Sequence, residues 1–202
     1  MKDMFRIMNF LFVIFTASLT LSSSAFSHEE NSTVVADFDS GEAVNNLGGK
    51  IEVWLAENGA DPNQSAKMSF TGDDAEGNTS GKSLKIDYDV ESESAAYNGI
   101  RMDLNHFDAS EFKTFNFYIK GDVKAGFPPT LKIELIGENG KPSPHMFTGI
   151  TTEWQKITIP LSEFVLIKDW TKLQKFVVVF ADIESNPKEG TVYLDDVYFS
   201  KS

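Results

Sequence analysis

The sequence predicts an all-β protein, a β-sandwich or barrel of about ten to eleven antiparallel strands. Three observations carry this. Apolar and polar residues alternate with a period of two, as where Leu84, Ile86, Tyr88 and Val90 face one way and Lys85, Asp87 and Asp89 the other. That spacing turns one side of a strand to a core and the other to water. Clusters of Gly, Pro, Asn and Asp punctuate the chain at Asp39–Gly41, Asn45–Gly49, Gly72–Gly81 and Ser185–Gly190, supplying the positive φ and preset bends that tight turns need. No segment holds helical periodicity over more than a turn.

Taken in order, Val34–Phe38 is the first expected strand, followed by Lys50–Ala56 and Lys67–Thr71 around a polar loop. Leu84–Val90 and Tyr97–Leu104 alternate cleanly, the latter with Ile100, Met102 and Leu104 inward and Arg101 and Asp103 outward. In Thr114–Lys120, Phe115, Phe117 and Ile119 face in, and Asn116 and Tyr118 face out. Leu131–Leu135 turns Lys132 and Glu134 outward, and His145–Ile150 and Gln155–Ile159 follow. Short helical turns are expected at Leu161–Phe164, after Pro160, and at Trp170–Leu173. Lys175–Phe180 (KFVVVF) is apolar on both faces and reads as a central strand. The last strand, Thr191–Ser200 (TVYLDDVYFS), sets two adjacent carboxylates, Asp195 and Asp196, in an apolar and aromatic run. A buried carboxylate has to be paired or bind a metal.

The first residues read as a targeting segment. Lys2 and Arg6 give a positive start, Ile7 to Leu21 is mostly apolar, and Ala25-Phe26-Ser27 places small residues before a cut at His28. A signal peptide is therefore expected over 1–27 and one domain over 28–202, in a secreted or periplasmic protein. The apolar stretch is shorter than the roughly 20 residues of a span, so no membrane span is expected. With no cysteine in the chain, neither a lipid-modified cysteine nor a disulfide is available. The formal charge of −12 opposes binding to phosphate backbones, so nucleic acid is not an expected partner.

The ordered set VADFDSG, YNGIRMDL, FNFYIKGD, WQKITIPLSEF and GTVYLDDVYF resembles one group of jelly-roll domains, the galactose-binding-like β-sandwiches. Family 11 carbohydrate-binding modules are the most similar of these, and complex-I-intermediate-associated proteins share the layout. The resemblance spans the mature chain and implies a β-sandwich jelly roll. It also implies a structural calcium (Ca2+) tying the first strand to the last, with Asp39 and Asp195 as ligands. Backbone carbonyls near Gly48–Lys50 would complete the six to eight oxygens that calcium takes.

For a ligand, Arg101 stands out as the only arginine after Arg6. Its rigid fork of donors can hold two sugar hydroxyls or a carboxylate. Tyr118, Lys132 and Glu134 also lie on the outward sides of their strands, a set that suits a polysaccharide or oligosaccharide face and equally an ordinary solvated one. Trp54 is the tryptophan expected nearest a ligand, whereas Trp154 and Trp170 are expected to pack. His145 could donate to a ligand at the sheet edge, and neither it nor His106 has metal-type spacing. Catalysis is not expected: Glu52 and Glu57 superficially resemble the paired-glutamate strand of a jelly-roll hydrolase family, but residues five apart point to opposite faces. The reading is a non-catalytic glycan-binding protein. A protein-interaction or assembly factor with a protein partner is the alternative, and a hydrolase or lyase comes after it.

Overall fold

Among the described residues the period of two is realised in eleven strands. The computed structural model describes residues 31–202 apart from residues 57–60, 76, 78 and 79. The expected signal peptide and Glu57 lie outside them. The strands are β1 (Ser32–Ala36), β2 (Ile51–Leu55), β3 (Ser65–Thr71), β4 (Ser83–Asp89), β5 (Tyr97–Phe107), β6 (Thr114–Gly121), β7 (Thr130–Ile136), β8 (Pro142–Thr148), β9 (Gln155–Pro160), β10 (Leu173–Ala181) and β11 (Glu189–Ser200). They form two antiparallel sheets. A six-stranded sheet runs β3-β4-β11-β6-β9 with β1 also on β11, and a five-stranded sheet runs β2-β5-β10-β7-β8. Among the described residues no helix is long and apolar enough to cross a membrane.

Inward residues of both sheets meet in one core. Phe115 of β6 packs edge-on against Phe176 of β10 at 4.9 Å, and Tyr88 of β4 stacks on Phe180 of β10 at 4.1 Å. Both contacts cross between the sheets, and burying each such ring contributes about 1.5–3 kcal/mol. The doubly apolar KFVVVF segment lies in β10, at the centre of the five-stranded sheet as expected.

Two local expectations are corrected. Leu161–Glu163 forms a single 3-10 turn, but Trp170–Leu173 is not helical: its residues turn and β10 begins at Leu173. β8 starts at Pro142 rather than His145. Its prolines are tolerated because β8 is an edge strand paired only with β7.

The adjacent carboxylates of β11 are explained by a bulge. The β11–β6 register shifts between Asp195 and Tyr198, and Asp196 takes φ 43°. An extra residue at this point lets Asp195 be buried while Asp196 remains partly exposed. The first and last strands are joined by backbone, with β1 pairing antiparallel to β11 from Ser32↔Ser200 to Ala36↔Val197.

Candidate functional site: two outward sheet faces

Register assigns each outward side chain to a face. On the five-stranded sheet, Glu52 of β2 pairs with Arg101 of β5, Arg101 with Val177 of β10, and Val177 with Glu134 of β7. One step along lie Trp54, Gly99, Val179, Lys132 and Met146 of β8. Trp54, Arg101, Lys132 and Glu134 therefore share one face, as a sugar site would require.

This face has an apolar floor beneath charged side chains. Val177 and Val179 point away from the core yet are each only 5% exposed. On one flank Arg101 Nε donates to Glu52 Oε1 at 2.8 Å, both side chains about two-fifths exposed (43% and 41%). That bond holds the Glu52 carboxyl below its usual range. On the other flank Lys132 Nζ lies 2.8 Å from Glu184 Oε2. Burial raises the pKa of neighbouring Glu134 against the opposing pull of Lys132, with Glu184 adding to the rise.

The outer face of the six-stranded sheet is also aromatic and charged, but its groups are committed to one another. Lys120 Nζ sits 5.0 Å from the ring centroids of both Trp154 and Tyr193 and forms an ion pair with Asp73. Trp154 Nε1 donates to Asp73 Oδ1 at 3.3 Å and the Tyr193 hydroxyl to Asp122 Oδ2 at 2.9 Å. Burial and then the Asp122 bond push the Tyr193 phenol up to about 12. Lys156 lies 5.3 Å from the Tyr198 ring.

The remaining expected site residues go elsewhere. Tyr118 belongs to β6 and pairs with Lys156 and Asp195 on the six-stranded sheet, so it does not join Arg101. His145 pairs with buried Ile133, which places it on the core side of β8, its ring 5.9 Å from Phe164. Trp154 was expected to pack in the core and instead stands on an outer face. Sequence reasoning missed the valine floor and Glu184, and weighed Glu52 only for catalysis. The doubly apolar β10 was the signal for the floor, since valines on both sides of a strand mean that its outer side is covered too.

The residues implied for calcium take part in hydrogen bonds among the described residues. Asp195 is 1% exposed, and its two oxygens accept the N–H groups of Ala75 and Asp196, each at 2.9 Å. Asp39 accepts the Lys82 N–H at 2.9 Å. The carbonyls of Gly49 and Lys50 accept from Asn45 and Asp103. No group of three or more His, Asp or Glu among these residues could hold an ion. Burial, reinforced by the Asp196 and Asp74 charges, pushes the Asp195 carboxyl up to about 8 against those two N–H bonds.

Solved structures share this architecture. A family 11 carbohydrate-binding module from Clostridium thermocellum, in complex with a β-1,3-1,4-mixed-linked tetrasaccharide, aligns with TM-score 0.62 at 14% identity, covering 85% of this chain and 96% of that one. The family 11 module of the cellulosomal cellulase Lic26A-Cel5E from the same organism gives 0.60 at 16% identity, over 85% and 95%. An exo-β-agarase gives 0.60 at 13% identity over 84% of this chain, but only 25% of its own length is matched. At these identities the likeness establishes a shared fold. No curated protein matches the sequence. A family model does, over residues 44–201, and the strands carrying both faces fall within it apart from β1: the chain belongs to the carbohydrate binding domain 30 family.

Proposed function

We propose that this protein is secreted and binds a neutral or weakly charged glycan reversibly across the outer face of its five-stranded sheet, without catalysing a reaction on it. Family membership supports the class of ligand. The observation that carries the choice of face is the Val177–Val179 floor flanked by Glu52–Arg101 and by Lys132, Glu134 and Glu184. Sugars need hydrogen-bonding groups at the rim and apolar surface for their C–H faces, and this arrangement offers both with charges of both signs. With two cations against three carboxyl groups, the face suits a neutral ligand better than a polyanion.

The same face argues against glycoside hydrolysis. Glu184 is held by Lys132 in an ion pair. Glu52 is moreover held by Arg101.

The β-1,3-1,4-mixed-linked tetrasaccharide is the first ligand to offer, within a panel of neutral oligosaccharides. Calorimetric titration should give measurable affinity that is weakened by about tenfold or more in Arg101→Ala and kept in Tyr193→Ala. No binding across the panel, or release of sugar products, would sink this reading.

A further inference from the structure

The proposed glycan face contains a polar atom that the protein itself leaves unused, and it belongs to Trp54. Trp54 pairs with Gly99 across β2 and β5. A Cβ on Gly99 would lie 3.4 Å from the indole Nε1 and 2.0 Å from the Val178 carbonyl oxygen. Glycine at this position thus leaves room for the N–H edge of the ring to lie against β5. Nε1 is buried and has no hydrogen-bond partner among the described residues. Buried donors are nearly always paired, because an unpaired one has given up its hydration for nothing. Trp154, on the opposite sheet, obeys that rule by donating to Asp73.

The side chains that share the face beside Trp54 are Glu52, two residues back on β2, and Arg101, two residues on from Gly99. They are joined by one 2.8 Å contact and are substantially exposed. Ion pairs of this kind contribute little to stability and re-pair readily. A ligand can displace them at low cost.

We propose that Trp54 is the specificity-determining donor of the face: when a saccharide displaces the Glu52–Arg101 pair, the indole N–H donates to a hydroxyl or ring oxygen of the sugar. This deepens the glycan-binding reading and rests on it. The indole then serves as a polar contact as well as a surface, and the ligand must place an acceptor oxygen beside the indole N–H, where the Glu52–Arg101 pair lay. A sugar without that oxygen leaves the buried N–H unpaired and is discriminated against.

The three tryptophans give a direct test, since 15N-labelled protein shows one indole N–H resonance for each, assignable by single Trp→Phe substitutions. The probe is the β-1,3-1,4-mixed-linked tetrasaccharide, or the tightest-binding member of the neutral panel. At saturation the Trp54 resonance moves downfield while that of Trp154 stays in place. Trp54→Phe, which keeps a ring but deletes the N–H, binds about tenfold more weakly, and its Tm stays closer to wild type than that of Trp54→Ala. Wild-type affinity in Trp54→Phe, or an unmoved Trp54 resonance in saturated protein, overturns the proposal and leaves glycan binding standing. A wild-type protein that binds nothing on the panel overturns both.

Discussion

The two outward faces of this sandwich are built from the same materials and differ in what their groups have left to do. Each carries tryptophan, tyrosine, lysine and carboxylates, the tyrosine of the five-stranded side being Tyr97, in step with Gly99 and Arg101 on β5. On the six-stranded side Lys120 lies against Trp154 and Tyr193 and is neutralised by Asp73, and both polar tips of those rings are hydrogen-bonded within the protein. On the five-stranded side Arg101 uses its Nε on Glu52, leaving the rest of its fork uncommitted among the described residues, and Trp54 Nε1 is unpaired. An aromatic and charged surface is therefore not by itself a binding surface. A ring with a cation on its face has already gained the attraction that a ligand would offer.

Substitution can break that contrast. The largest effect is expected from Arg101→Ala, which should weaken tetrasaccharide binding by about tenfold or more in calorimetric titration. Tm should hardly change, because an exposed pair contributes little to stability. Trp154→Ala should do the reverse, lowering stability by about 2 kcal/mol in denaturant titration through lost burial and the Lys120 contact while leaving affinity intact. If these two results were exchanged, the functional face would be the six-stranded one.

A third outcome sharpens the contrast through pH. The Asp195 carboxyl, raised to about 8, keeps its proton in the folded state at pH values where the unfolded chain has released it. Its contribution is present at low pH and is lost as pH rises from near 4 through 8. Tm should fall across that window by on the order of 5 °C, and Asp195→Asn should flatten the slope. A Tm that climbs over the same range would refute the assignment. Calcium comes last: a shift in Tm below about 1 °C on addition or chelation would leave the N–H bonds to Asp195 as its only partners. A rise of several degrees with calcium would support a metal clasp between the first and last strands.

Alternation such as that of Leu84 to Val90 and of Phe115 to Ile119, with the turn clusters between, gave about ten to eleven strands, and the double apolarity of KFVVVF gave the central place of β10. Burial pattern is a local property, and a period of two records it directly in the residues. Arg101 was legible as an outward guanidinium for the same reason. Its partner was not, because Glu52 lies 49 residues away and only strand order brings the two together. Tyr118 shows the converse. It is outward, as read, but which of two sheets it faces out from is decided by the pairing of β6 with β11 and β9. The Asp195–Asp196 pair was visible as a puzzle in the sequence and was resolved by a bulge, a backbone feature without a fixed residue signature. Sequence alone thus determined the strands, their inward sides and the family likeness, since hydrophobic periodicity acts residue by residue. Tertiary structure decided which outward groups meet and which neutralise one another, because contacts between strands far apart in the chain depend on sheet order and register, which no single strand encodes.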